Sequence, residues 1–387
     1  MRSIVFLIAL GFAFPGFGQA LHNSGMLRLH DNAQIGLHTD LINNGPLEAD
    51  TGSVFGFYGT EQSLVTGALV PQLYDIELLN GQGVVLQTGL RTTNNFNFIL
   101  GRIFTPKDNA GVFLEFNDQA FYVGDNDENH VDGFVAITDK REFTFPVGAA
   151  GQIRSLYIES SGNNAFSSCA YFFEDPSNPV SINTNFDTET KVRDIGMVSN
   201  NEFWVLTGGV SSQVTVSWNT NSGLANIANE ADDIVLVGWS KSNNQWVLLG
   251  KSSLVGDVNE GFLISDSFVP DDFAAITFGT VPLPLDTFAV NNPTLGNYFM
   301  SPNGDGINEN LIFDNIEGTG RNQVAIFTRT GQKVFEQTDY TNEFTGVANV
   351  NGVVLNREIG LPEGIYYYTI SLLDEELEYQ GFVFIDR

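Results

Sequence analysis

The sequence predicts an all-β protein in three parts: a β-solenoid-like or sandwich N-terminal domain, a central antiparallel β-sandwich, and a small C-terminal β-sandwich. Short apolar runs recur about every 8–12 residues, cut by Gly, Asn and Asp, which is the rhythm of strands and turns. The 387 residues include 40 glycines and 32 phenylalanines, turn-formers and a bulky residue suited to pleated sheet. A proline-bearing stretch at 282–296 then sets off the last segment, 297–387, as a separate unit.

Residues 1–20 read as a secretory signal peptide. Arg2 supplies the positive start, 4–14 is an apolar core, Pro15 and Gly16 break it, and Gly18-Gln19-Ala20 offers small residues for cleavage. The apolar run falls short of the ~20 residues a membrane-spanning helix needs. No later stretch qualifies either, so no integral membrane segment is expected after signal removal, and the general export machinery is the first partner. The single cysteine, Cys169, excludes an intramolecular disulfide and any zinc site of several cysteines. Its expected role is that of a small buried filler.

Charge narrows the partners. Forty-six acids against 17 bases leave a formal charge of −29, which repels phosphate backbones and anionic headgroups, so nucleic acid is excluded as a partner class.

Within 21–148, apolar runs at 26–29, 34–37, 53–58, 73–79, 84–86, 96–100, 112–116, 121–123 and 134–137 read as strands. Asn44-Gly45 and Asn80-Gly81 are the clearest turns. No fixed repeat of about 20–30 residues emerges, so a parallel solenoid and a sandwich both stay open. From 149 to 281, Val214, Val216 and Trp218 alternate on one face, 234–239 reads as a central strand, and 246–249 returns across Ser242-Asn243-Asn244. Strands are also expected at 203–206, 262–264 and 275–278, with one helical hint at 222–229. All four tryptophans, Trp204, Trp218, Trp239 and Trp246, lie here. They are either sandwich core or an aromatic platform for sugar rings on a surface polysaccharide.

In the last unit, strands at 324–327 and 333–336 join through Arg329-Thr330-Gly331, and 365–372 and 380–385 pair across Asp374-Glu375-Glu376. Pro362-Glu363-Gly364 is a turn in which Pro362 presets φ. Ser301-Pro302-Asn303-Gly304-Asp305-Gly306-Ile307-Asn308 resembles the opening of the gliding-motility-associated C-terminal domain, the type B sorting signal of type IX secretion in Bacteroidota. The resemblance continues in order through 326–335, with Arg329 and Gly331, and 361–368, with Pro362, Gly364 and Tyr366. It closes on Gly381-Phe382-Val383 and Arg387. The family often has Trp-Asp-Gly where this chain has Phe344-Thr345-Gly346, and Asn-Asp where it has Asn308-Glu309. The resemblance implies an immunoglobulin-like fold, recognition by the outer-membrane type IX translocon, and a secreted or cell-surface location. Phe143-Thr144-Phe145-Pro146-Val147-Gly148 resembles a phrase from β-rich cargo regions of such proteins, in which a solenoid-like region precedes a sandwich.

Chemistry is sparse. Asn303, Asp305 and Asn308 could offer oxygens to Ca²⁺, but an EF-hand register puts Ile312 where the bidentate acid belongs, and a tight turn explains the same residues. The acidic loop 125–129 lacks the same features. His22, His30 and His38 recur at intervals of eight and could stack in successive solenoid turns around a transition metal, or simply occupy polar turns. No H-E-x-x-H, G-x-S-x-G or Walker loop occurs, and no carboxylate pair stands out for a glycoside hydrolase. The expectation is an exported, non-catalytic adhesion or structural protein without a cofactor. The alternatives are carbohydrate binding on the tryptophan-rich sandwich and polysaccharide degradation.

Overall fold

From Leu21 the chain winds in coils. Strand Leu21–Asn23 lies parallel to Leu41–Asn43, and Ser63–Thr66, Val84–Leu86, Ile103–Phe104 and Val131–Asp132 stack on in turn. The computed structural model describes residues 20–282, 287–292, 294–350 and 360–387, so the expected signal peptide lies outside the described residues except for Ala20.

A second wall stacks Leu27–Leu29, Leu47–Ala49, the start of Gln72–Asn80, the start of Leu90–Leu100, Leu114–Asn117 and Val135–Thr138. A third stacks Gln34–Leu37, Val54–Gly59, the remainder of the two long strands, and Phe121–Val123. Every pairing within the three walls is parallel, so the chain from Leu21 to Thr138 is a solenoid and the sandwich alternative fails for it. Parallel neighbours require a crossover each time, here one complete coil. Stacked side chains fill the interior: Phe55, Ile76 and Phe96 form one column, Phe57, Leu78 and Phe98 another, all buried. Asparagines close the corners. Asn23 Nδ2 donates to Asn43 Oδ1 at 2.8 Å, and Asn43 Nδ2 donates to the Leu69 carbonyl at 2.8 Å, both satisfying polar groups that a buried turn would otherwise orphan.

In the second wall the last coil does not end in an open edge. Val135–Thr138 pairs antiparallel with Ser167–Phe172, and the sheet runs on through Phe203–Gly208, Phe273–Thr280, Ile234–Ser240 and Gln245–Gly250. A five-stranded sheet faces it: Lys140–Phe145, Leu156–Asn164, Ser212–Trp218, Gly261–Ile264 and Ser253–Gly256. The expected central sandwich is present, but it begins at Lys140 and shares both a sheet and a hydrophobic core with the solenoid. Residue 148 therefore does not separate two packed units, and one compact unit extends to Leu283. Capping the coil with an antiparallel strand pairs backbone groups that would be a sticky edge.

Ser167–Phe172 is buried along its whole length. Cys169 and Tyr171 enter the shared core, while Ala170 and Phe172 enter a second cluster under the segment 173–200, with Phe186, Ile195 and Val198. Burial pushes the Cys169 thiol well up, so it is inert packing. The helical hint at 222–229 resolves into two 3-10 turns, Thr220–Ser222 and Leu224–Asn226, split by Gly223 at φ 66°.

The second unit begins at Pro284. Its sheet has the order Asn297–Met300, Leu377–Ile385, Gly364–Leu372, Asn322–Phe327, Lys333–Thr338. The first pairing is parallel and the rest are antiparallel. Its inner face, including Val324, Tyr368, Ile370 and Val383, packs on Leu311, Phe313, Ile316, Tyr340 and Phe344. The second layer of the expected sandwich is thus supplied by chain outside the ladder. The expected linker 282–296 is shorter than its sequence indicates: Thr287–Asn291 is a short helix whose Phe288 enters this core. Asn292 Nδ2 also donates to the Asp314 carbonyl at 2.8 Å.

Candidate functional site

All but one of the motif residues of the second unit gather at one end of its sheet. Register places Met300 beside Ile385, Ile385 beside Gly364, and Phe327 beside Tyr367, so the segments that follow or precede these residues leave the sheet together. Arg387 ties them: its Nε donates to the Leu361 carbonyl at 2.7 Å and its Nη2 to the Gly346 carbonyl at 3.1 Å. A side chain at Gly346 would meet Pro302 and Arg387, which shows how closely the first and last blocks approach. Tyr366 OH donates to the Pro362 carbonyl at 3.0 Å, and burial pushes its phenol pKa up. Arg329 and Gly331 form the hairpin turn at the same end, where the Gly331 N–H donates to the Thr328 carbonyl at 2.9 Å. Gly381 lies mid-strand and makes room for the Tyr368 phenol, which accepts the Gly296 N–H at 2.7 Å.

The 301–309 loop explains its own composition. Asn303 Oδ1 accepts the Asp305 N–H at 2.9 Å, Asp305 Oδ1 accepts the Ile307 N–H at 2.8 Å, and Glu309 Oε1 accepts the Gly306 N–H at 3.0 Å. Gly304, Gly306 and Asn308 take positive φ. The first two are Asx turns, which hold a loop by side-chain acceptors, and Glu309 adds a third acceptor from the loop's far end. Two of the three residues considered as Ca²⁺ ligands therefore have an oxygen engaged by backbone amides.

Fold and motif together define a terminal β module in which short sequence blocks are pinned to one sheet end. Residues 294–385 match the family model of the CHU_C type IX secretion signal domain. No curated protein and no solved structure matches the chain. The terminal segment is a type IX secretion signal domain, and the chain is exported by that route to the outer-membrane surface or beyond. The match covers under a quarter of the 387 residues and leaves the first unit, its cargo, unassigned. No helix among the described residues is long and apolar enough to cross a membrane.

In the cargo, the tryptophan platform is corrected. Trp204, Trp218 and Trp246 are buried and only Trp239 is half-exposed. Trp204 Nε1 donates to the Arg154 carbonyl at 3.0 Å and Trp218 Nε1 to the Asp257 carbonyl at 2.8 Å, and both rings meet Phe278 edge-on. Trp246 packs against Phe186 and Trp239 in the outer cluster. The sandwich uses these side chains for area, so they offer no common face to a sugar.

The histidine triplet also separates. His22, His30 and His38 fall on or just after Leu21–Asn23, Leu27–Leu29 and Gln34–Leu37, one on each wall of a single coil. His22 Nε2 lies 3.2 Å from Asn44 Nδ2, His30 Nδ1 lies 3.3 Å from Asp50 Oδ2, and His38 sits against Tyr58. Spacing by eight is thus wall to wall, whereas stacking requires a whole coil. Among the described residues no group of three or more His, Cys, Asp or Glu is placed to hold a metal ion. In the 125–129 loop, Asp127 Oδ1 accepts the Ile153 N–H at 2.9 Å and Asn126 Oδ1 accepts the Glu128 N–H at 2.8 Å.

Sequence reasoning missed a buried polar network where solenoid meets sandwich. Glu202 is fully buried, and its Oε2 accepts Arg154 Nε at 3.3 Å and the Tyr171 hydroxyl. Arg154 Nη2 donates to Gln152 Oε1 at 3.3 Å, and Asn221 Nδ2 donates to the same oxygen at 3.0 Å. Burial, with Glu202 adjacent, pushes the Tyr171 phenol far up, so it stays a donor. Nearby, the His130 ring edge comes within 3 Å of where a Gly148 side chain would begin. Burial pulls the His130 pKa down, and its Nδ1–H donates to the Asn126 carbonyl at 3.3 Å as neutral imidazole. Arg154 and Glu202 are 48 residues apart, and no local pattern links them.

Proposed function

We propose that residues 21–282 form a non-catalytic adhesion or structural cargo, carried to the cell surface by the signal domain. The observation that carries this reading is the continuous outer wall. Arg28, Glu48, Gln72, Arg91 and Glu115 stand side by side across five strands, and the sheet runs on into the sandwich. Such a wall is a rigid, extended display surface, the usual use of solenoid architecture. The route is tested in a host with type IX secretion, comparing the full chain with a version ending at Pro282. The full chain should reach the surface or medium and the truncation should stay periplasmic. Equal distribution of the two overturns the reading.

A second reading, saccharide binding, has support away from the tryptophans. A recess of about 490 Å³ on the wall is lined by Arg91, Asn117, Asp118, Asp139, Phe113 and Phe166. The Phe166 ring is exposed and lies 5.5 Å from that of Phe113, so an aromatic face sits beside hydrogen-bonding groups. With the full chain and insoluble cellulose, xylan and chitin as probes, Phe166→Ala should cut retention at least tenfold. Equal retention of variant and wild type, or none by wild type, removes this reading. Release of soluble sugar from any of the three would instead favour a degrading enzyme.

A further inference from the structure

The signal domain covers only one face of its sheet. Along Gly364–Leu372 the outward positions are Ile365, Tyr367, Thr369 and Ser371, and along Leu377–Ile385 they are Glu378, Gln380, Phe382 and Phe384. Register aligns them into rungs. Phe299, Phe384 and Ile365 form one rung, and Phe382, Tyr367 and Phe327 form the next. Phe299, Tyr367, Ile365 and Phe382 are 52%, 50%, 41% and 38% exposed. The rings of Phe299 and Phe384 stack at 6.1 Å with planes 16° apart. A recess of about 450 Å³ lies beside Tyr367, Thr369, Gln380 and Phe382.

Solubility does not call for these side chains. The next two rungs of the same face are polar, pairing Thr369 with Gln380 and Ser371 with Glu378. A contiguous apolar patch on a soluble domain marks a surface that meets a partner. This patch also adjoins the pinned sheet end: Ile365 follows Gly364, and Phe384 precedes Ile385 and the anchored Arg387. The motif residues thus hold in place the end of the sheet that carries the aromatic rungs.

We propose that this face is where the outer-membrane type IX translocon grips the domain, through an apolar surface that receives Tyr367, Phe382, Phe299 and Ile365. The proposal rests on the type IX reading, which requires a recognition surface on this domain. A second copy fits less well. Residues 294–387 carry fourteen acids and five bases, so pairing two copies would bring like net charges together.

The test expresses full-length chains in a type IX host: wild type, a deletion of 294–387, Tyr367→Thr with Phe382→Thr, and Ile365→Thr with Phe299→Thr. Threonine keeps strand propensity while removing the apolar area. Expected is a fall of at least tenfold in surface and medium protein for both double variants, with accumulation in the periplasm and thermal unfolding of the purified chains close to wild type. Should one double variant fail to fold, the other decides. If the deletion is retained but the folded double variants are delivered like wild type, the proposal fails and the type IX reading stands. If the deletion is delivered too, both fail. A wild-type dimer lost in the double variants, with delivery unchanged, assigns the face to a second copy and overturns the proposal.

Discussion

Arg154→Met should destabilise the first unit by about 3–5 kcal/mol, because it leaves the Glu202 carboxylate buried without its cation. Glu202 already has one oxygen, Oε1, with no hydrogen-bond partner among the described residues. Deleting the guanidinium would leave Oε2 only the Tyr171 hydroxyl. The double variant Arg154→Met with Glu202→Met should recover most of the loss, since removing both charges also removes the desolvation cost of ~several kcal/mol per ion. Urea unfolding followed by tryptophan fluorescence measures this in the full chain. All four tryptophans lie in the first unit, so the signal reports that unit alone. A single variant within about 1 kcal/mol of wild type, roughly the worth of one hydrogen bond, would mean that water enters and solvates the junction. Failure of the double variant to recover would mean that Arg154 acts mainly through packing and its contacts to Gln152 and Ser222.

Much of the architecture was legible because strands and turns are local. Asn44-Gly45, Asn80-Gly81 and the hairpin at Arg329-Thr330-Gly331 carry their reasons in two or three residues. The coil repeat was hidden because its length varies: Leu21 stacks on Leu41, Leu41 on Val65, Val65 on Leu86, and then Ile103 on Val131. Corners absorb the differences: residues 105–113 join the first wall to the second in that coil, where 24–26 suffice in the first coil, so no fixed period survives in the sequence. The signal domain was legible for the opposite reason, since its blocks are short, ordered and lie in turns. What stayed invisible was long-range pairing. Nothing near Arg154 announces Glu202, and nothing near Val135 announces Ser167 as its antiparallel neighbour. The tryptophans illustrate a further limit: alternation in Val214, Val216 and Trp218 shows that one face is buried, but the choice between core and platform needed the opposing sheet.

Gly101→Ala should cost about 2–6 kcal/mol, the sum of ~1–3 for a non-glycine residue held at a strained φ and ~1–3 for overpacking. Gly101 ends the strand Leu90–Leu100 at φ 108°, and an added Cβ would lie 1.9 Å from the Asn80 carbonyl oxygen of the coil below. Its N–H also donates to Asn129 Oδ1 at 2.8 Å, so it stitches neighbouring coils and cannot move away freely. Gly81, at the same corner, is the internal control. It is exposed, and its added Cβ would meet only the Leu100 side chain at 3.5 Å, so Gly81→Ala should be neutral or stabilising by up to ~1 kcal/mol. The probes separate two physical pictures. Stacked coils can unfold piecemeal, each held only by its neighbours. Here the second wall continues into the sandwich, and one core runs through both. If solenoid and sandwich unfold together, Gly101→Ala shifts the tryptophan transition and the far-ultraviolet circular dichroism transition equally, although no tryptophan lies in the solenoid. A shift confined to circular dichroism would mean that the continuous sheet does not couple the two, and that the cargo behaves as two domains despite its shared core.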